Sequence, residues 1–127
     1  MISISIVISL LFLHWVADFV CQTDWMARNK SQSNWPLFVH CLVYTMVFIP
    51  FAVVVIPASS VAWFLIFTLL LHMYIDFNTS RITSRLSAEG KYGSNYIPNF
   101  GMFSIIGLDQ FLHYLCLIGT YYFFTTY

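Results

Sequence analysis

Four histidines and three aspartates of this 127-residue chain lie in otherwise apolar runs, at regular spacing. His14 and Asp18, His72 and Asp76, and Asp109 and His113 are each four residues apart, and His40 stands in a fourth apolar run. On a helix, a separation of four stacks two side chains on the same face, one turn apart. Neutral imidazole and carboxylate are nitrogen and oxygen ligands for Zn²⁺, Mn²⁺ and Fe²⁺. His14, Asp18, His40, His72, Asp76, Asp109 and His113 are therefore the candidate ligands of a divalent transition metal. Zinc is the first choice, with manganese or iron as the others. Seven such groups suffice for one metal with supporting neighbours, or for two metals with open positions. The plainer alternative is a network of hydrogen bonds joining helices.

A metal lowers the pKa of a bound water toward about 7, and an aspartate not used as a ligand then serves as general base. Asp18 and Asp109 are the catalytic candidates. Gln22, one turn beyond Asp18, Asp24 and the two basic residues Arg28 and Lys30 are the candidate substrate-binding groups. Arg28, Lys30, Arg81 and Arg85 would attract anionic headgroups at a membrane surface, although topology signals also account for them. Thr23 and Asp24 also suit the start of a short interfacial helix. Tyr44 lies one turn from His40, and Gln110 is offset by about 100° from Asp109, toward another helix.

Composition says what must position these groups. Hydrophobic residues make up 60% of the chain and charged residues 8%, against about 25% charged in ordinary soluble domains. The mean hydropathy is +0.79. So few charges cannot coat a water-facing surface, and lipid is the simplest exterior. Net charge is zero, which gives no bulk attraction to nucleic acid. Cys21, Cys41 and Cys116 are isolated, odd in number and without a C-x-x-C pair, so no disulfide framework is expected.

Four apolar stretches approach the roughly 20 residues that span a hydrocarbon core: about 2–22, 37–56, 61–77 and 103–124. The third could extend to residue 86, and 87–101 reads as a loop. Pro50 should kink the second stretch. The first lacks a basic leader and a small-residue cleavage site, so it is expected as a retained helix. The fold class is all-α, an antiparallel bundle of four transmembrane helices in a single domain over residues 1–127. All five basic residues fall in the segments 23–36 and 78–102, and none near the termini or the 57–60 turn. The positive-inside rule makes those two segments cytoplasmic and both termini periplasmic or extracellular, in a bacterial inner membrane. Measured from that side, six of the seven ligand candidates lie roughly 6–14 Å deep and Asp76 is shallower, all in the same half of the bundle.

The ordered elements His14-x-x-x-Asp18-x-x-x-Gln22-x-Asp24, Lys30, His40, His72-Met-Tyr-Ile-Asp76 and Asp109-Gln110-x-x-His113 resemble a family of small bacterial and phage membrane proteins, domain of unknown function 3307. The resemblance covers essentially the whole chain. It implies functional importance for His14, Asp18, Gln22, Asp24, His40, His72, Asp76, Asp109, Gln110 and His113. It also implies a lysine soon after the Ile-Asp element, where this chain has Thr79, Ser80 and Arg81. The resemblance supports a site and names no reaction.

The leading expectation is a metal-dependent hydrolase acting on a lipid-linked or phosphorylated substrate from the cytoplasmic face. The alternatives are a metal-ion or proton transporter, and a non-catalytic scaffold stapled by metal. Expected partners are the bilayer, an anionic lipid or lipid-linked substrate, and a second copy or another membrane protein.

Overall fold

In the computed structural model, which describes residues 2–93 and 100–127, every regular element is a helix and no strand occurs among the described residues. Helix α1 (Ile4–Trp15) starts where the Ser3 hydroxyl oxygen accepts the Ile6 amide at 3.3 Å, which satisfies one of the free donors of its first turn. It runs directly into a π-helical turn (Val16–Val20), closed by the Cys21 amide donating to the Val16 carbonyl at 2.9 Å. Thr23 then caps α2 (Asp24–Asn29) by accepting the Met26 amide.

The second apolar stretch divides into α3 (Asn34–Val47) and α4 (Ile49–Val55), with the break at Phe48. Pro50 causes it, having no N–H for the preceding turn and a ring that crowds the carbonyl four residues back. Helix α5 (Val61–Ala88) continues well past residue 77 and stops at Gly90. That glycine takes a φ of +69° while the Lys91 amide returns to the Leu86 carbonyl at 2.8 Å, a left-handed closure suited to glycine. Helix α6 (Met102–Thr126) completes the chain. The loop expected over 87–101 falls partly on residues 94–99, which lie outside the described residues.

Three segments, Asn34–Val55, Val61–Ala88 and Met102–Thr126, are long and apolar enough to cross a membrane. The N-terminal segment Ile4–Val20 is apolar but shorter, covering roughly 25 Å against a hydrocarbon core of roughly 30 Å. It ends before Gln22 because the π-turn closes at Cys21 and Thr23 commits the chain to a new helix.

Burial follows stripes at helical spacing. On α3 the buried stripe holds Leu37, His40, Cys41 and Tyr44, on α5 Phe64, Thr68, His72, Asp76 and Thr79, and on α6 Ile105, His113, Leu117 and Thr120. The opposite faces expose Phe12, Trp15, Val54, Trp63, Leu70, Phe111 and Leu115. Polar groups inside and apolar groups outside suit contact with lipid. Leu10, Phe48, Ala52, Phe64 and Leu117 pack into one apolar core, and the three cysteines are free.

Gly101 enters α6 against the backbone that leaves α5. A Cβ there would sit 2.6 Å from the Gly93 nitrogen and 2.6 Å from the Lys91 carbonyl oxygen, neither of which can rotate away. Gly101→Ala is expected to destabilise the fold by about 1–3 kcal/mol, seen as a lower melting temperature in detergent. An unchanged melting temperature would show that the two backbones part easily.

Candidate metal centre

The buried stripes converge on one cluster. Asp18 comes from the π-turn, His40 from α3, His72 and Asp76 from α5, and all four are at most 4% exposed. His40 Nε2 lies 2.9 Å from Asp18 Oδ1, 3.2 Å from His72 Nε2 and 3.3 Å from Asp76 Oδ2. His72 Nε2 is 3.7 Å from each of the same two carboxylate oxygens. Ligand atoms bonded tetrahedrally at 2.0–2.1 Å are separated by about 3.3 Å. The five separations bracket that value, so these four atoms could hold one metal ion.

Hydrogen bonding alone does not satisfy this arrangement. His40 Nε2 has one hydrogen or one lone pair, yet two carboxylate oxygens, a second imidazole and the Lys30 ammonium at 3.4 Å all crowd it. With neutral imidazoles, three carboxylates set against the one ammonium leave two negative charges, which one divalent cation cancels.

Around the four, other side chains fix orientation. The Gln110 amide nitrogen donates to Asp109 Oδ2 at 2.9 Å and reaches Asp18 Oδ2 at 3.5 Å, which turns its oxygen to His14. An amide oxygen only accepts, so His14 Nε2 carries the hydrogen and donates at 2.8 Å. His14 Nδ1 then accepts the Tyr44 hydroxyl at 2.8 Å, and the Tyr44 ring stacks on His72 with centroids 3.7 Å apart. Both nitrogens of His14 are thereby engaged, although it also groups with Asp18 and His113 at ligand spacing. The Thr79 hydroxyl donates to Asp109 Oδ1. Gln110 thus reaches α1, as its offset from Asp109 expects, but its partner there is His14, which makes it part of the cluster.

Lys30 is not the loop cation that sequence position suggests. Its side chain folds inward, 17% exposed, and its Nζ donates to Asp76 Oδ2 at 2.8 Å. Burial works to lower the Lys30 pKa, but the Asp76 carboxylate, helped by Asp18, outweighs it and holds the ammonium above its ordinary value. Lys30 is thus the cation paired with Asp76, and Thr79 and Ser80 follow that carboxylate on α5.

A cleft of about 440 Å³ opens on the cluster. Its walls include Asp18, Gln22, Arg28, Lys30, Asp76, Asp109 and Gln110, continued outward by Ser80, Thr83, Ser84 and Ser87 of α5. The buried Gln22 Oε1 and Ser80 Oγ have no hydrogen-bond partner. Asp24 is exposed and does not line the cleft, because Thr23 caps α2 and turns that residue outward. Arg81 also stays outside, donating to Asn34 Oδ1 at 2.9 Å and lying over the Phe77 ring. Tyr44, Thr79 and the inward reach of Lys30 escaped the sequence reading as members of the cluster. The one-turn spacing of Tyr44 from His40 and the place of Lys30 among the ordered elements were the hints at them.

Since the folded-state pKa of Lys30 is raised, its contribution to stability is complete below the ordinary lysine value of about 10.4 and is lost as pH climbs through the folded-state value. Lys30→Met is expected to abolish that alkaline loss. It should also cost on the order of 3 kcal/mol near neutral pH by leaving Asp76 uncompensated. Thermal unfolding from about pH 7 to 12 checks both, and an unaltered alkaline limb would place its origin elsewhere.

Residues 6–127 match the family described as Protein of unknown function (DUF3307), and the chain belongs to it. No curated protein and no solved structure matches the chain.

Proposed function

For this member of that family we propose a metal-dependent hydrolase embedded in the bacterial inner membrane, acting on a lipid-linked or phosphorylated substrate at the cytoplasmic face. The observation that carries the reading is the 2.9–3.7 Å spacing of His40 Nε2 and His72 Nε2 from each other and from Asp18 Oδ1 and Asp76 Oδ2, beside a cleft of about 440 Å³. In this reading the chain crosses the bilayer four times as an antiparallel bundle, the shorter Ile4–Val20 helix included. The segments 23–36 and 78–102 face the cytoplasm, which the five-to-none distribution of basic residues supports.

A divalent cation held by these four residues, zinc first, supplies Lewis-acid polarisation and an activated water near neutral pH. Asp18 acts as ligand. Asp109, 14% exposed on the cleft wall and fixed by Thr79 and Gln110, takes the proton released when water attacks the scissile group. His14 acts through Gln110 to orient both carboxylates. Arg28 and Lys30 bring positive charge to the walls for an anionic headgroup, and Gln22 lines the same walls.

Transport is less well supported. Beyond the cluster the apolar core of Leu10, Phe48, Phe64 and Leu117 closes the bundle, whereas an ion path needs polar groups through the whole thickness.

Purified protein is expected to carry at least one divalent transition metal per chain, by elemental analysis. His72→Ala and Asp76→Asn should lose it. In proteoliposomes, Asp109→Asn is expected to lower turnover of a lipid phosphate roughly 10²–10⁴-fold while keeping the metal held by Asp18, His40, His72 and Asp76. A folded protein that neither contains nor takes up Zn²⁺, Mn²⁺ or Fe²⁺ sinks this reading, and metal flux into sealed vesicles would move the assignment to transport.

A further inference from the structure

We propose that the cluster holds a second divalent cation, next to the first, between Asp76, Asp109 and His113. The inference rests on the reading above and extends it from one metal to two. One donor atom from each of these residues lies within 4.8 Å of the others. Acidic residues drawn together would not by themselves make a site. His113 supplies the independent observation.

The His113 ring is 2% exposed, and its Nδ1 lies 2.9 Å from the Asp109 backbone carbonyl oxygen. A carbonyl only accepts, so Nδ1 carries the hydrogen, and in the neutral ring Nε2 presents a bare lone pair. That Nε2 is buried with no hydrogen-bond partner, and Asp76 Oδ1 lies 3.6 Å from it. Two acceptors thus face each other inside an apolar bundle, where an unpaired polar atom is costly. A cation between them turns the mismatch into ligation. The hydrogen bond from Nδ1 to a backbone carbonyl is also the contact that commonly fixes a ligating imidazole in place.

Asp76 links the two positions. Its Oδ2 belongs to the first group, with His40 and His72, and its Oδ1 faces His113. One carboxylate serving two cations is a recurrent arrangement in helical bundles that build paired metal sites from facing Asp, Glu and His side chains. Asp109 also has two oxygens, so ligation through one leaves the other for the proton transfer assigned above.

Charge then narrows the substrate. With two divalent cations, three carboxylates and the Lys30 ammonium, the cluster carries an excess of two positive charges when its imidazoles are neutral. A dianionic phosphate monoester cancels that excess, whereas a neutral ester or amide does not.

The test uses the full chain in detergent, stripped with chelator and reloaded with Mn²⁺. Two Mn²⁺ per chain are expected, with the exchange-coupled paramagnetic resonance spectrum of a bridged pair. His113→Gln should retain one Mn²⁺ with the six-line spectrum of an isolated ion, and should bind inorganic phosphate at least tenfold more weakly than the unmodified chain. A single Mn²⁺ in the unmodified chain overturns the second site and leaves the first standing. No Mn²⁺, and no Zn²⁺ or Fe²⁺ in its place, removes both. Because count and spectrum are read on the unmodified chain, misfolding of the variant does not shelter the proposal. Equal phosphate affinity with and without His113 overturns the substrate class.

Discussion

Three carboxylates within an apolar bundle are the constraint from which the rest follows. An isolated carboxylate at membrane depth costs several kcal/mol or more unless it finds an opposite charge or several donors. Asp76 receives Lys30 and lies beside His40 and His72, Asp18 receives His40 and the Gln110 amide, and Asp109 receives Thr79 and Gln110. The excursion of the chain through the π-turn and α2 gains a physical reason in this light. It brings Asp18 into the cluster and swings Lys30 back over it. π-Turns occur often at functional sites, and this one supplies a member of the candidate ligand set.

The compensating contacts also tie the helices together. A continuous run of hydrogen bonds passes from Tyr44 on α3 to His14 on α1, to Gln110 and Asp109 on α6, and to Thr79 on α5. Each link is short and buried or partly buried, where hydrogen bonds reinforce one another. In lipid, hydrophobicity gives helices little reason to associate, and polar contacts with close packing replace it. The groups that could hold a metal and the groups that hold the bundle together are thus largely the same, which favours a site set before any ligand arrives.

Much of the candidate site was legible in the residue pattern, and the reason is geometric. Spacing of four on helices puts His14 with Asp18 and His72 with Asp76 wherever the helices go. Apolar surroundings then leave those pairs nowhere to face but one another. The all-helical character followed from composition in the same way. Lys30 was not legible as a cluster member, because a lysine in a loop reads as a topology signal and its long stem lets it fold in either direction. Asp24, a candidate in the sequence, lies exposed and off the cleft walls, since Thr23 caps α2 and turns it out. Gln110 and Tyr44 needed coordinates, since their roles lie in which partner on another helix they meet. The first apolar stretch gives a helix over Ile4–Val20, ending where hydropathy does not register a π-turn followed by a cap.

In the proposed reading, the apolar core of Leu10, Phe48, Phe64 and Leu117 beyond the cluster leaves the cleft open at one end. For a substrate taken in there, uptake and release share one aqueous compartment and one leaflet. In the proposed reading no charge crosses the whole bilayer during a cycle, so the full transmembrane voltage, worth about 2.3 kcal/mol per charge per 100 mV, does not drive turnover. Chemistry in such a cleft changes the composition of one leaflet and cannot equalise the two.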